Sequence, residues 1–551
     1  MAPATRAMRR CLPVALIGLL TLAPAAARAD TPIAVTPGPT NVASYGGFVA
    51  WSQYDAGTRQ YQLAIAQHDA APKIIRAASS PAPLEVSLGP DSSGRVVALY
   101  VRCTSAPKND NDVANGCDAW RYQTSSGSQA KLGFSSPHDD EEWPAQWRGQ
   151  FVFGRALLSG SGTSAIRCDV PYRRAVTGST SSRMDRGHCA AMNGLAIRGT
   201  VVGQTSIARN ESQVRLLSTH GGPMRVATSS SYGEESNFLG GPALDLNYVY
   251  AARYGVHPTQ SFVRIWRSGL SKQEVPAHLA LAGTIAIDGQ TISYVEQMAG
   301  YRGGTCGATA PCRVVRSPSS PFGQAQRELP PQLALSPAST GSAPAASPFT
   351  LTATLTRTTV SAGTIVKTAP VAGEPIELLK APLEGPDGPY SSTGLRATTG
   401  ADGTAALTIP PPQPASITYG AVTRGTDPPT YSPQALVDGG AALTMTPSAT
   451  TVASGAQVSF AGTIAPPQPG RTDVKIQRRT KHTCQKSTTG EEICQDDWET
   501  ITGATTAADG GSYTASAALT KSGFYTTVLP FLQGNTTALS GRSPGVTITV
   551  G

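Results

Sequence analysis

The sequence predicts an all-β protein, and three observations support that prediction. Glycine (57 residues) and proline (44 residues) are plentiful in the 551-residue chain, whereas charged residues make up 15% of it. No apolar stripe with a period of 3.6 residues is sustained, so long helices are not expected. Short apolar runs separated by turn residues recur instead, which is typical of strands joined by turns.

A phrase of two short apolar runs occurs six times in the first two-thirds of the chain. The first runs begin at residues 47, 94, 149, 199, 245 and 289, so successive copies lie 47, 55, 50, 46 and 44 residues apart. Their partner runs read YQLAIAQ, CDAWRYQ, SAIRCDV, SQVRLLS, SFVRIWR and CRVVRS. A repeat of this length, with one four-stranded sheet per copy, predicts a β-propeller. We expect six blades; the alternative is a seventh, completed by a leader strand near residues 33–42 that pairs with the segment near Arg327.

The first 29 residues are predicted to be a signal peptide. Three arginines precede an apolar segment at residues 12–23, and Ala27-Arg28-Ala29 forms a cleavage site of the A-x-A type. Cleavage after Ala29 would lower the formal net charge from +8 to +4, with 40 basic residues left against 36 acidic ones. No stripe of basic and aromatic residues is present, so nucleic acid is not an expected partner. No later apolar run is long enough to span a bilayer. The sequence therefore predicts a secreted protein.

The cysteines indicate the same compartment and a set of local disulfide bridges. Eight of the nine cysteines remain after removal of the signal peptide, and an even number in an exported chain predicts a disulfide framework. Their placement around loops predicts four bridges between sequence neighbours: Cys103–Cys117, Cys168–Cys189, Cys306–Cys312 and Cys484–Cys494. Zinc is the rival interpretation, but the spacing C-x-x-C is absent and no pair of histidines accompanies these cysteines. No metal and no cofactor are predicted.

A coarser duplication follows the repeats. The propeller is expected to span residues 30–328, and a Pro/Ala/Ser-rich stretch at 329–348 reads as an extended linker. Beyond it, TVSAG at 359–363 matches TVASG at 451–455, and TTGADG at 398–403 matches TTAADG at 505–510. Each copy is about a hundred residues of short alternating strands, which is the size of a β-sandwich. We expect two sandwiches, at residues 349–440 and 441–551.

Two resemblances accompany these patterns. The signature T-V-x-x-G, then V-K-I-Q-R-R, then T-x-x-D-G resembles bacterial immunoglobulin-like repeats, whose domains are usually spacers or adhesive modules. The segment GPDSSGRVVALY at 89–100 resembles the S-P-D-G-x-x-I-A-F phrase of TolB-type, WD40-like propellers. Most of the six copies depart from that phrase. The second resemblance therefore implies an architecture and no particular activity.

The acidic run Asp139-Asp140-Glu141-Glu142 is the sharpest candidate for a functional site. A second acidic pair, Glu234-Glu235, occupies the matching segment between blades in a later repeat. Segments that link blades gather at one mouth of a propeller channel, so these carboxylates are expected to converge there and to bind a cation or a sugar. Two carboxylates at a fixed separation are also what a glycoside hydrolase needs. The alternative is a solvated acidic turn at the edge of the blades.

Trp143 and Trp147 follow the acidic run and are candidates for stacking against a sugar ring. The flat apolar face of an indole suits that contact. The alternative is that both rings pack between blades.

These patterns predict a secreted or cell-surface recognition protein, expected to be a monomer, rather than an enzyme. The expected ligand is a carbohydrate, a cell-envelope component or a protein. An extracellular carbohydrate-active hydrolase or lyase is the second hypothesis, and a purely structural envelope protein is the third. The catalytic motifs H-E-x-x-H and G-x-S-x-G are both absent, so no catalytic residue is predicted.

Overall fold

Most of the chain is described by a computed structural model. The described residues are 28–68, 70–106, 115–135, 139–159, 166–175, 180–185, 190–208, 211–231, 237–255, 260–298, 306–307, 310–337, 343–344, 348–381, 390–411, 417–437, 439–468, 473–486, 492–530 and 541–551. Strands and no helices occur among these residues, which confirms the predicted all-β class. No helix in this described part of the chain is long and apolar enough to cross a membrane.

Six antiparallel sheets form the β-propeller, each with its innermost strand at a common central channel. Blade 1 contains Val42–Tyr45, Phe48–Asp55, Gln60–Gln67 and Lys73–Ser80. Blade 2 contains Val86–Pro90, Val96–Arg102, Asp118–Gln123 and Gln129–Lys131. Blade 3 contains Glu141–Trp147, Gln150–Ser159, Ile166–Ala175 and Ser182–Arg183. Blade 4 contains Ala191–Arg198, Val201–Ala208, Glu211–Ser218 and Arg225–Ser231.

The last two blades depart slightly from this pattern. In blade 5 the inner strand is broken into two pieces, so the blade contains Asn237–Leu239, Ala243–Leu244, Tyr248–Gly255, Ser261–Trp266 and Lys272–Pro276. Blade 6 contains Leu281–Asp288, Thr291–Gln297 and Cys312–Ser317, and its outer strand is the N-terminal strand Thr31–Thr36. That strand pairs antiparallel with Cys312–Ser317, with Thr31 opposite Arg316 and Thr36 opposite Cys312. The leader strand therefore completes the sixth blade, and no seventh blade is formed by the described residues.

The six repeated phrases correspond to the second and third strands of the blades. In blade 1, for example, Ala50 and Leu63 lie on these two strands and are completely buried. Both strands are covered by the neighbouring blades on either face, so they need continuous apolar runs. The blades pack through six separate apolar clusters, one at each junction, and the cluster that joins blade 6 to blade 1 contains Val295 and Trp51.

The two ends of the channel carry different connections. Because each blade repeats the same up-and-down order, all inner strands begin at one face and end at the other. We call the first the link face, since it carries the segments that link successive blades. We call the second the turn face, since it carries the tight turns after the inner strands, such as Gly46-Gly47 in blade 1.

The residues after the propeller form two further β units. In the first unit, one sheet contains Arg28–Ala29, Arg327–Glu328, Gln332–Ser336, Phe349–Ser361, Thr364–Pro370 and Thr404–Ile409. The facing sheet contains Pro375–Ala381, Ser391–Thr398, Ile417–Thr423 and Ala435–Val437. Both sheets contribute to one apolar core, which includes Leu351 and Leu378. A short parallel pair joins Ala343–Pro344 to Gly439–Gly440.

The second unit is a network of ten strands around its own core. Its strands are Ala442–Leu443, Thr446–Pro447, Thr451–Val452, Ala456–Ala465, Val474–Lys486, Glu492–Thr506, Ser512–Leu519, Gly523–Leu529, Gly541–Arg542 and Val546–Val550. Phe460 and Ile476 lie on different strands and are both fully buried in the core. The immunoglobulin-like character of both units stays a prediction.

The stretch expected to be an extended linker is partly folded. Its residues Gln332–Ser336 form a strand that pairs antiparallel with Phe349–Ser361. Leu333 and Leu335 alternate into the core of the first unit with 3% and 5% exposure, whereas their neighbours face outward. The prediction of a linker failed here because the surrounding prolines masked a two-residue alternation that marks a half-buried strand.

Three of the four predicted disulfide bridges are present between the predicted partners: Cys103–Cys117, Cys306–Cys312 and Cys484–Cys494. Cys168 is also disulfide-bonded. Its predicted partner, Cys189, lies outside the described residues.

A buried ion pair joins the propeller to the first β unit. The guanidinium of Arg313 in blade 6 contacts both carboxylate oxygens of Glu296, at 2.8 Å through Nε and 3.0 Å through Nη2. Arg313 also donates to the carbonyl of Pro331 (2.9 Å) and the hydroxyl of Thr430 (3.2 Å). The Gln332 amide donates to Glu296 at 2.7 Å. Arg313 and Glu296 are 1% and 0% exposed, so both charges depend on these partners.

The substitution Arg313→Met is expected to lower the free energy of unfolding by about 3–5 kcal/mol, because it leaves the buried Glu296 carboxylate without a cation. The double variant Arg313→Met/Glu296→Leu should recover most of that loss. Arg95→Ala, which removes the ion pair of the exposed Arg95 side chain with Asp91, is the control and should cost less than about 1 kcal/mol. Urea unfolding followed by tryptophan fluorescence measures these changes, since five of the six tryptophans lie in the propeller. Equal losses for Arg313→Met and Arg95→Ala would contradict the role given to the buried pair.

Candidate functional site

The acidic run lies where blade 3 begins, at the link face, and much of its charge is used within the fold. Arg155, on the second strand of that blade, contacts Asp139 at 3.6 Å and Glu141 at 3.5 Å. The same guanidinium lies over the rings of Phe153 and Tyr172, at 5.3 and 5.2 Å. Glu141 is completely buried. The carboxylates of Asp139 and Glu141 therefore stabilise the blade around Arg155.

Asp140 is also held by the protein. Its Oδ1 atom accepts a hydrogen bond from the backbone N–H of Cys117 at 2.8 Å, which ties the start of blade 3 to the disulfide-closed loop of blade 2. Glu142 is half-buried on the inner strand. Glu234 and Glu235 lie outside the described residues, so their predicted convergence with the acidic run stays a prediction.

Trp143 and Trp147 lie at opposite ends of one inner strand rather than together in a loop. The Trp143 indole donates to the carbonyl of Met192 at 3.2 Å and packs between blades 3 and 4. Trp147 lies at the turn face. Its ring meets Tyr45 of blade 1 edge-on at 5.6 Å and is covered by the guanidinium of Arg198 of blade 4 at 5.0 Å. The two tryptophans therefore do not form one stacking platform.

The central channel is narrow. The inner strands of all six blades line it, and its cavity has a volume of about 90 Å³. Sites for small ligands usually have volumes of about 300–1,000 Å³. Together with the cap formed by Tyr45, Trp147 and Arg198, this volume makes the channel a packed core rather than a binding site.

A larger space lies on the turn face between blades 5 and 6, and we call it the blade 5–6 cleft. Its volume is about 540 Å³, which falls in the range of small-ligand sites. The residues that line it are Asp245, Tyr250, Arg264, Gly289, Gln290, Ser319, Ser320, Phe322, Gly323, Ala325 and Gln326.

Asp245 organises one wall of the cleft. It follows the broken inner strand of blade 5, and its Oδ1 atom accepts hydrogen bonds from the N–H groups of Asn247 (2.7 Å) and Tyr248 (2.6 Å). Its Oδ2 atom accepts a hydrogen bond from the Tyr250 hydroxyl at 2.6 Å. Burial and this hydrogen bond raise the pKa of Tyr250, so the hydroxyl stays protonated and donates. Asp91 holds the corresponding turn of blade 2 through the N–H groups of Ser93 and Arg95.

Arg264 supplies a positively charged, flat donor group to the cleft. Its guanidinium lies over the rings of Tyr248 and Phe322, at 4.7 and 4.8 Å from their centroids. Among the described residues, its only hydrogen bond is from Nη2 to the side chain of Gln273. Because contacts with two rings restrict the movement of the guanidinium, its other N–H groups are partly pre-oriented donors.

Exposed amide and aromatic groups complete the surface. Gln290 and Gln326 are exposed at the rim of the cleft. Trp266 is 48% exposed and meets Tyr248 edge-on at 5.8 Å, and Leu246 is 73% exposed. The cleft therefore offers hydrogen-bonding groups of both kinds, and the exposed Trp266 ring lies on the adjoining part of the same blade 5 sheet.

Sequence reasoning did not identify this cleft, although two of its strands were recognised as repeats. The strand register places Tyr248 opposite Trp266 and Tyr250 opposite Arg264. Two tyrosines that alternate on one strand therefore face an arginine and a tryptophan that alternate on the next. This pattern is visible in the sequence, and it predicts a sheet face that carries both polar and aromatic side chains. The third wall, residues 319–326, has no strand pattern.

No family model matches the sequence, and no curated protein matches it either. Among solved structures, the β-propeller domain of the Trilobed protease from Pyrococcus furiosus is 11% identical, covers 50% of this chain and 76% of that chain, and has a TM-score of 0.30. A fungal lectin with a six-bladed β-propeller, Aleuria aurantia lectin, is 10% identical over 48% of this chain and 90% of that chain (TM-score 0.35). A putative TolB from Agrobacterium tumefaciens is 15% identical over 35% and 66% (TM-score 0.24).

The substitution Glu141→Ala is expected to lower the free energy of unfolding by about 3 kcal/mol, because Arg155 loses a fully buried partner. It should leave ligand binding by the folded protein unchanged. Asp118→Ala removes a more exposed pair with Lys131 and is the control, with an expected loss below about 1 kcal/mol. Urea unfolding, monitored by tryptophan fluorescence, measures the free energy of unfolding of both variants. If the Glu141→Ala variant is as stable as the unaltered protein but no longer binds a ligand, the purely structural role of Glu141 is contradicted. The acidic run would then belong to a binding site.

Proposed function

We propose that the protein is a secreted, non-catalytic recognition protein whose propeller binds carbohydrate in the blade 5–6 cleft. The observation that carries this proposal is the Arg264 guanidinium, which lies over two aromatic rings in a cleft of about 540 Å³. An array of glycans and cell-wall polymers would identify the carbohydrate and show whether it belongs to the cell envelope.

The chemistry of the cleft suits a sugar. Sugar hydroxyls both donate and accept hydrogen bonds, and the cleft offers the Arg264 guanidinium and the exposed amides of Gln290 and Gln326 for that purpose. The C–H faces of a sugar ring are apolar and pack on aromatic rings, and the half-exposed Trp266 provides such a ring beside the cleft. A few polar groups in a partly apolar concavity are typical of small-ligand sites.

A hydrolase is the less favoured alternative. Glycoside hydrolysis normally uses two carboxyl groups on either side of the scissile bond. The residues that line the cleft include one carboxylate, Asp245, and both of its oxygens hold the turn and the Tyr250 hydroxyl. In the acidic run, Asp139 and Glu141 are paired with Arg155.

The remaining features support an exported protein. The N-terminal segment has the pattern of a signal peptide, and disulfide bridges persist in oxidising compartments. The two β units after the propeller would then act as spacers that hold it away from a surface, as the resemblance to immunoglobulin-like repeats implies.

The test is an array of glycans and cell-wall polymers probed with the full chain from Asp30 onward, with bound protein and released sugar measured in the same wells. Binding without release is the expected result. Arg264→Ala should weaken binding at least about tenfold, since the hydrogen bonds of a charged donor contribute about 1.5–3 kcal/mol. Arg95→Ala removes the same charge from a turn of blade 2 on the turn face and should bind like the unaltered protein.

Each other outcome has a definite meaning. Release of sugar would contradict the non-catalytic proposal and support the hydrolase alternative. Equal binding by Arg264→Ala and Arg95→Ala would place the site outside the cleft. If no polymer binds, while the melting temperature shows that the protein is folded, carbohydrate recognition is excluded for the polymers on the array.

A further inference from the structure

A histidine and a carboxylate share one face of a β-hairpin with the bridge Cys484–Cys494. The hairpin consists of Val474–Lys486 and Glu492–Thr506 in the second β unit. Cys484 lies opposite Cys494 and His482 lies opposite Asp496. Residues two apart on a strand point to the same side of the sheet, so the four side chains form one cluster.

The interatomic distances show a chain of contacts from the Asp496 carboxylate through the His482 ring to the sulfur atom of Cys484. His482 Nδ1 lies 2.5 Å from Asp496 Oδ1, and His482 Nε2 lies 3.2 Å from Cys484 Sγ. Arg479 Nη1 lies 3.6 Å from the same carboxylate oxygen. The hydrogen bond to His482 lowers the pKa of Asp496, so that this carboxylate is ionised and can hold the imidazole.

The exposure of this bridge differs from that of the propeller bridges Cys103–Cys117 and Cys306–Cys312. Cys494 is exposed and Cys484 is half-buried. By contrast, Cys117 is 5% exposed, Cys306 is 6% exposed and Cys312 is completely buried. An external thiol therefore has access to Cys494, while both sulfur-bearing residues of the Cys306–Cys312 bridge are shielded.

We infer that Cys484–Cys494 is a redox-active disulfide that exchanges with an external dithiol, with Cys494 as the attacked sulfur and Cys484 as the leaving group. This activity is independent of the carbohydrate proposal, because it uses residues of another part of the chain.

The exchange proceeds in two balanced steps. A thiolate of the dithiol attacks Cys494 Sγ, forms a mixed disulfide with it and breaks the bond to Cys484, which leaves as a thiolate. When the His482 ring carries both protons, it stabilises that thiolate through Nε2 or gives it a proton. The second thiol of the reductant then attacks its own sulfur in the mixed disulfide and releases the Cys494 thiolate. One protein disulfide is thereby reduced to two thiols by two electrons and two protons, and the dithiol becomes a disulfide.

The position of the histidine determines which sulfur leaves. Exchange is faster when the leaving thiolate is stabilised, and a neighbouring imidazolium provides that stabilisation. His482 contacts Cys484, whereas the more accessible Cys494 lies across the hairpin. Asp496 is a positioning residue, because it holds the ring through Nδ1.

The experiment treats the folded full chain from Asp30 with dithiothreitol, quenches it with acid, alkylates free thiols and measures every cysteine by peptide mass spectrometry. The Cys484–Cys494 bridge should be reduced at least about tenfold faster than Cys103–Cys117 or Cys306–Cys312 in the same molecules. The propeller bridges serve as internal controls for the folded state. Equal rates for all three bridges would overturn the proposal.

Variants test the histidine itself. His482→Gln should slow reduction about tenfold, and Asp496→Asn should slow it to a smaller extent. Lys481→Gln removes a neighbouring charge from the opposite side of the strand and is the matched control, with an expected change below about twofold. If His482→Gln and Lys481→Gln slow reduction equally, the effect is a general one of positive charge. That result would overturn the role assigned to His482.

A second readout identifies the attacked sulfur. With a limiting amount of glutathione, a monothiol probe, the mixed disulfide should form on Cys494 in the unaltered protein. The preference should disappear in His482→Gln, a result that a merely structural role of His482 would not produce. A mixed disulfide mainly on Cys484 of the unaltered protein would contradict the proposed direction of attack.

Discussion

Closure of the propeller ring is the constraint on which the rest of this structure depends. A ring of blades is held together at the junction where its two ends meet, and here the strand Thr31–Thr36 supplies the outer edge of blade 6. Asp30, immediately before that strand, is 5% exposed and binds Arg327 at 2.6 Å. The Tyr294 hydroxyl donates to the same carboxylate at 2.8 Å, and burial raises the pKa of Tyr294, so the donor is retained. The predicted cleavage after Ala29 would leave this anchor intact.

The blade 5–6 cleft depends directly on that closure. The segment that forms its third wall begins after Ser317, which is fixed by the ladder of blade 6, and ends at Arg327, which is fixed by Asp30. Between these anchors, Phe322 is 7% exposed and packs on the Arg264 guanidinium. A loop held at both ends loses little further conformational freedom when a ligand binds, so the cleft is pre-organised. Loosening the N-terminal strand should therefore affect the cleft before it affects blades 2 to 4.

The repeated parts of the structure could be predicted from the sequence. The parts that form where distant segments of the chain meet could not. The second and third strands of each blade were recognisable because burial on both faces requires continuous apolar runs, as at Val97 and Leu99. Three bridges were predictable because their cysteines bracket single loops. By contrast, the pairing of Glu141 with Arg155 across a hairpin was not readable from an acidic run. The cleft was missed because its walls come from three distant parts of the chain, whose proximity is a property of the closed ring: Asp245, Tyr250 and Arg264; residues 289–290; and residues 319–326.

The packing of the channel explains why recognition chemistry lies on the turn face rather than at the centre. Large side chains such as Leu195 and Ile197 belong to the inner strands, and the Trp147 ring closes one mouth. Filling the channel stabilises the ring by burying apolar surface, at about 25 cal/mol per Å². It also excludes a ligand from the one position that all six blades share. The turns of individual blades are free of that constraint, because they face solvent and tolerate variation. A binding site there can use the sequence of two neighbouring blades, here Arg264 of blade 5 and Gln290 of blade 6, without weakening the shared core.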